Sequence, residues 1–278
     1  MSREGIMLAK PFEDRLLQKM EPPYLIQRKI NGERCLATIS EFGVELRSSE
    51  GNIFGTVPHI NQRLIDMNLP HGTYDGELYR HGWKLQQIHS VVSSVRKKLH
   101  IDYEQITYQI FDCTIEKLKQ IDRIMYLNTM QDYFNLTPNI ERVETFGVSD
   151  VNDIPELVKV FLDEGYEGAI IRNKSGFWEP KRTSNLLKIK PRATDEYRIV
   201  GALEEISIHG EPKNALGAFV CMKDDQHFKV GSGSLLTRVN RELLWREKDK
   251  LPGKVLTVKY QELTTRGVPY CPVAISVT

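Results

Sequence analysis

Apolar and polar residues alternate over many short stretches of this chain and recur at helical spacing over fewer, longer ones. That pattern predicts strands interrupted by helices. Strands are expected at residues 24–28, 35–39 and 44–47, with Asn31-Gly32 and Glu41-Phe42-Gly43 as the turns between them. Thr56 as a cap and Pro58 in the first turn open a helix that runs to Asn68. A strand follows at 72–79, a helix at 84–99, and a strand at 105–111 rich in β-branched and aromatic residues. Residues 116–134 read as one helix. Residues 153–164 read as another, with Pro155 in the first turn and Gly165 just past the end. Short strands at 169–172 and 186–190 complete this part of the chain.

The character changes after Pro191. Strands are predicted at 197–206, 218–222, 227–230, 255–260 and 273–277, with one helix at 235–248. Five strands and a helix in so short a segment suit a small Greek-key barrel of the oligonucleotide-binding type. The expected fold class is α+β, with one domain over 1–191 and a second over 192–278. The first half is not a regular βαβ array and has no G-x-G-x-x-G, which argues against a dinucleotide-binding sheet.

Composition narrows the class without naming a chemistry. The 278 residues are 40% apolar and 27% charged, an ordinary globular balance. The four cysteines (Cys35, Cys113, Cys221 and Cys271) are far apart, so they read as reduced thiols of a cytoplasmic protein and not as a zinc site. No run of 18 apolar residues predicts a membrane span, and residues 1–5 lead into no apolar signal core. With 38 Lys+Arg against 37 Asp+Glu, the net charge of +1 argues weakly against a nucleic-acid partner. The distribution argues the other way. Between Arg172 and Arg198 stand eight basic residues and three acids, a local +5.

Five segments carry chemistry. Lys29 lies beside the Asn31-Gly32 turn with Arg34 five residues on. A lysine nucleophile must be neutral, and neighbouring cations with partial burial push it that way. Asp75-Gly76-Glu77 places carboxylates on a strand. Phe111-Asp112 ends another, Glu167-Gly168 precedes a short apolar strand, and Lys188-Ile189-Lys190 puts two ammonium groups on one strand face. Each alone is an ordinary strand edge or turn. Their order is not ordinary.

In that order the chain resembles ATP-dependent DNA ligases of the covalent nucleotidyltransferase superfamily, in their compact viral or bacterial form. The family pattern is K-x-D-G-x-R, then D-G-E, F-D, E-G-x-x-x-K/R and K-x-K. The tail adds Phe228-Lys229-Val230-Gly231-Ser232-Gly233, Glu242-Leu243-Leu244-Trp245 and Val258 to Thr264, which are similar to the family's OB-fold domain. The resemblance implies a nucleotidyltransferase (ATP-grasp-like ligase) domain followed by an OB-fold β-barrel, ATP and Mg²⁺ (or Mn²⁺) as cofactors, and nicked duplex DNA as partner. It implies a monomer, in the host-cell cytoplasm if the source is viral. Lys29, so close to the start, leaves no room for the extra helical domain of large ligases.

The resemblance assigns roles residue by residue. Lys29 is the nucleophile that takes AMP from ATP. Lys188 and Lys190 contact the α-phosphate. Glu167 and Glu77 are the metal ligands, Glu77 also holding the ribose. Phe111 stacks on adenine, Arg34 holds the ribose edge, Arg172 is the basic residue after E-G, and Arg47 contacts nucleotide or nick phosphate. Gln27 stands where ligases usually carry a glutamate reading the adenine amino group, an exchange that relaxes the choice of nucleotide. Lys174, Lys181, Arg182 and Arg192 form a rim that contacts DNA phosphates, and residues 208–216 are a candidate contact loop.

Two departures bear on activity. Asn31 replaces the motif aspartate, and Tyr270 falls where a C-terminal arginine orients the pyrophosphate leaving group. Arg266 stands four residues earlier as a substitute. Slow self-adenylylation is expected, with later steps less affected. The alternatives are an RNA ligase or mRNA-capping guanylyltransferase, and an inactive DNA-binding protein of ligase fold.

Overall fold

The computed structural model describes residues 5–93, 98–264 and 266–278. The chain divides into two units, Met1–Lys190 and Pro191–Thr278. Helices and strands are mixed in the α+β manner, with strands dominating both units.

Two sheets build the first unit. One runs in the order β1 (Leu8–Pro11), β10 (Arg182–Ile189), β9 (Ala169–Arg172), β2 (Tyr24–Arg28), β8 (Thr145–Val148), and only β1 lies parallel to its neighbour. The other runs β4 (Gly43–Ser48), β3 (Glu33–Ser40), β5 (Gly72–Tyr79), β6 (Thr107–Cys113), β7 (Ile140–Arg142), with β6 and β7 parallel. Against the first sheet, α1 (Asp14–Leu17) and α6 (Ile154–Asp163) bury Leu16, Leu17, Val158 and Phe161 on Ile26, Ile171 and Leu187. Against the second, α2 (Pro58–Asp66) and α3 (Leu85–Val92) bury Ile60, Leu64, Ile88 and Val91 on Ala37, Leu46, Leu78 and Ile110. Each such fully buried aliphatic or aromatic side chain contributes about 1.5–3 kcal/mol of transfer free energy.

Several expectations change. The strands around Asn31-Gly32 are not a hairpin: β2 is already paired on both edges, by β8 and β9, so the turn carries the chain into the other sheet. The helix expected at 116–134 is two helices, α4 (Gln120–Asn128) and α5 (Gln131–Leu136). It starts late because the amides of Gln120 and Ile121 bond to the carbonyls of Gly176 and Lys174. It breaks at Thr129, whose hydroxyl turns back onto the Tyr126 carbonyl (2.7 Å). The helix expected at 84–99 is α3, and residues 94–97 of that expectation lie outside the described residues. The strands β1, β7 and β8 and helix α1 were not expected.

The second unit is a five-stranded antiparallel sheet in the order β13 (Gln226–Val230), β12 (Pro212–Lys223), β11 (Ala193–Ile206), β14 (Val255–Tyr260), β17 (Val273–Val277). It packs with α7 (Arg238–Arg246), capped by the Thr237 hydroxyl, and carries a small extra pair, β15 (Glu262–Leu263) with β16 (Pro269–Tyr270). Tyr197, Ile199, Phe219, Val230, Leu256 and Val258 form its core. Residues 208–216 are not one loop: β12 starts at Pro212, leaving a tight turn with Ile208 exposed at its tip. Among the described residues, no helix is long and apolar enough to cross a membrane.

Candidate active site

Three adjacent strands of the first sheet end at one place. The β2–β9 pairing continues past the strands through Lys29 N–H to the Gly168 carbonyl (2.9 Å) and Glu167 N–H to the Lys29 carbonyl (3.1 Å). Lys29 and Glu167 are therefore cross-strand neighbours by backbone geometry, and their side chains form an ion pair. β10 lies on the other side of β9, and Lys190 at its end pairs with the second oxygen of the same carboxylate. Lys188, on β10, lines the cleft beside Lys29, and its pKa is held below the usual lysine range by burial first, then by Arg182, Lys29 and Lys190.

The second sheet supplies the facing wall. Arg34 and Glu77 are partners across β3 and β5, and Arg34 makes a two-point pair with buried Asp75 (2.6 and 2.5 Å). Burial raises the Asp75 pKa, while the Arg34 guanidinium pulls it back. Glu77 is pushed up to about 7, by burial first, with Arg34, Lys29 and the Gly32 N–H (3.3 Å) acting against it. Gly32 is needed for this approach: a Cβ there would strike the Leu78 carbonyl and the Glu77 side chain. Phe111 sits in a β-bulge. Asp75 pairs with Asp112 and Gly76 with Ile110, so Phe111 is the extra residue, aimed at the cleft while both neighbours are buried. The guanidinium carbons of Arg34 and Arg172 lie 4.6 and 5.3 Å from its ring centroid.

Lys29, Arg34, Glu77, Phe111, Arg172, Lys188 and Gln27 thus line one cleft of about 190 Å³ that opens to solvent. Gln27 and Arg172 are almost wholly buried. Arg172 donates to the Gln27 oxygen (2.6 Å) and to Asp112 (2.9 Å), and the Gln27 amide nitrogen donates to the Phe111 carbonyl (3.1 Å) and the Thr145 hydroxyl (2.9 Å). Burial alone would raise the Asp112 pKa, but Arg172 and Arg123 outweigh it and hold the carboxyl below its usual range.

The remaining residues expected at a site lie elsewhere or at the edge. Arg182 lines the cleft and donates to the Ala9 carbonyl (2.7 Å). Lys174 donates to the Pro22 carbonyl, Lys181 is exposed beside Glu179 (3.4 Å), and Arg192 is exposed at the start of the second unit. Arg47 stands on an exposed edge, paired with Glu45, and does not line the cleft. Sequence reasoning gave no role to Asp75, Asp112 and Arg123, although the first two stand inside the D-G-E and F-D motifs. It also missed residues 6–9, which line the cleft because β1 pairs with β10. A four-residue strand ending in proline leaves no periodicity to find.

Strand ends that gather lysines about a carboxylate, beside a cleft lined by an aromatic residue near two guanidinium groups, have the chemistry to receive a phosphorylated ligand with a planar base. The family described as ATP dependent DNA ligase domain matches residues 6–190, and that described as DNA ligase OB-like domain matches residues 209–277. The chain belongs to the ATP-dependent DNA ligase domain family. A DNA ligase of African swine fever virus (strain Badajoz 1971 Vero-adapted) is 30% identical over 268 residues, covering 88% of this chain and 61% of the viral one. This chain therefore spans about three fifths of that relative. Among solved structures, one from a structure-function study of Lig E DNA ligases, described as binding DNA with a minimal scaffold, has a TM-score of 0.78 at 22% identity, covering 99% of each chain. A Chlorella virus DNA ligase-adenylate has a TM-score of 0.55 at 22% identity, covering 100% of this chain and 99% of that one.

Proposed function

We propose that the protein is an ATP-dependent DNA ligase that seals 5′-phosphate/3′-hydroxyl nicks in duplex DNA. The observation that carries this reading is the gathering of Lys29, Lys188, Lys190 and Glu167 beside a cleft also lined by Phe111, whose ring lies near Arg34 and Arg172. The lysines suit phosphates and the aromatic ring a purine. In the first step the Lys29 amine attacks the α-phosphorus of ATP; an N–P bond forms, the bond to the bridging oxygen breaks, and pyrophosphate leaves. A 5′-phosphate oxygen of the nick then displaces Lys29 from the adenylyl phosphorus. The 3′-hydroxyl attacks the resulting DNA-adenylate, closes the phosphodiester and releases AMP.

The chain's own residues position these groups. Lys188 and Lys190, gathered with Lys29, serve to contact the α-phosphate, a set of cations held in place before charge develops. Phe111 offers its face to adenine, and Arg34, clamped by Asp75, borders the ribose. Glu167 and Glu77 flank Lys29 and offer the hard carboxylate oxygens that suit Mg²⁺ or Mn²⁺, which usually binds one or two carboxylates together with substrate phosphates. When bound, such a cation neutralises phosphate charge.

Arg182 lines the cleft, and Lys174, Lys181 and Arg192 are the further basic side chains assigned to contact DNA phosphates. The thiols of Cys35, Cys113 and Cys221 are free and buried, which supports work in a reducing cytoplasm; the protein acts as a monomer. Incubation with ATP labelled at the α-phosphate tests the reading: the label becomes covalently attached to the wild type and not to Lys29→Ala, while both variants bind nicked DNA. Labelling by GTP alone would identify a capping enzyme instead, and equal labelling of Lys29→Ala would overturn the assignment.

A further inference from the structure

Beneath the cleft floor lies a buried polar chain with a direction. The Gln27 amide has one orientation that suits its neighbours. Arg172 Nε–H is a donor, so the atom 2.6 Å from it is the Gln27 oxygen. The Phe111 carbonyl accepts, so the atom 3.1 Å from it is the amide nitrogen. Turning the amide over would set donor against donor and acceptor against acceptor. The orientation depends on where Arg172 stands, and Arg172 stands where Asp112 (2.9 Å) and the Gln120 oxygen (3.2 Å) hold its Nη1.

Asp112 is shared. Arg123 Nε and Nη2 take both of its oxygens (2.8 and 3.1 Å), so Arg172 reaches it through Nη1 alone (2.9 Å) and keeps Nε for Gln27. Arg123 is wholly buried and further fixed by the Leu118 carbonyl at Nη1 (2.8 Å) and the Gln120 oxygen at Nη2 (2.7 Å). It touches neither Gln27 nor the cleft.

We propose that Arg123 is a positioning residue for base selection. By occupying both oxygens of Asp112 it holds Arg172 on Gln27, and so keeps the Gln27 oxygen as the acceptor that a purine edge meets. An acceptor there favours the 6-amino group of adenine and opposes the 6-oxygen of guanine. Without Arg123, Arg172 closes into a two-point pair with Asp112, its Nε leaves Gln27, and the freed amide presents its NH₂ to guanine.

This inference rests on the nucleotide-transfer reading above, and its test separates the two. The rates of covalent labelling by ATP and by GTP, each labelled at the α-phosphate, are compared in the wild type, Arg123→Met and Arg123→Met/Gln27→Glu, with circular dichroism confirming folding. The ATP-to-GTP rate ratio should fall about tenfold or more in Arg123→Met. It should recover in the double variant, because a carboxylate has no N–H to turn. Arg123→Lys, which keeps the charge but not the two-point grip, should lower the ratio in the same direction by less, and it carries the test where Arg123→Met does not fold. A ratio unchanged in a folded variant, with both rates falling together, would show that Arg123 only supports the fold and would overturn the inference, as would no recovery in the double variant. A wild type that takes label from neither nucleotide would overturn the ligase reading and this inference with it.

Discussion

Replacing Glu77 by glutamine should stabilise the protein, and increasingly so as pH rises. Glu77 has its pKa pushed up to about 7, chiefly by burial, against an ordinary value of 4.5. The folded state therefore holds the proton more tightly than the unfolded chain. The stability this confers is complete below pH 4.5 and is lost as pH rises to and beyond 7. In the working range the ionised carboxylate is a burden on the fold, and glutamine, a neutral near-copy that can keep the Gly32 N–H bond, removes it. At about 1.36 kcal/mol per pKa unit, the gain of Glu77→Gln is roughly 1 kcal/mol at pH 5.5 and roughly 3 kcal/mol at pH 8.5. For a domain of this size, about 2–4 °C per kcal/mol makes the difference in melting temperature some 4–8 °C wider at the higher pH. Paired thermal melts of wild type and variant at the two values measure it. A gap that is constant or narrows with pH would refute the argument that burial dominates at Glu77. The variant should be less active despite its stability, because the carboxylate is positioned for ligand and not for the fold.

Three further outcomes follow from named contacts. Asp75→Asn leaves the Arg34 guanidinium without its buried partner and should cost about 3 kcal/mol or more by denaturant titration, whereas Glu45→Gln at the exposed Arg47 pair should leave stability nearly unchanged. Tyr270→Arg should raise the rate of self-adenylylation in a single-turnover labelling assay; an unchanged rate would show that Tyr270 is not the reason for a slow first step. Affinity for nicked DNA should fall steeply between about 50 and 200 mM salt, and Lys181→Ala should flatten that slope; a flat response in the wild type would remove the basic rim from the binding surface.

How much of this was legible in the sequence depends on whether a feature is local. The two lysines of β10 and the Glu167-Gly168 turn announce themselves by type and spacing, because strand alternation fixes which way neighbours point. Phe111 was marked by its motif, but its outward aim comes from a bulge against β5, a register property that one strand cannot display. Arg123 was invisible. Within a predicted helix it looked like any charged surface residue, and only the packing of α4 against the end of β6 buries it on Asp112. The turn at Asn31-Gly32 was legible as a turn and misleading as a hairpin, because pairing partners 118 to 147 residues away had already claimed both edges of β2.

Glu167 has a consequence beyond the metal-ligand role proposed for it. Lys29 and Lys190 point at one spot from the ends of β2 and β10, the two strands that flank β9, and two ammonium groups so placed repel each other. Because one carboxylate accepts from both, the polypeptide carries its own counter-ion to that spot. Bringing the two cations together is thereby part of folding and precedes any encounter with a phosphate.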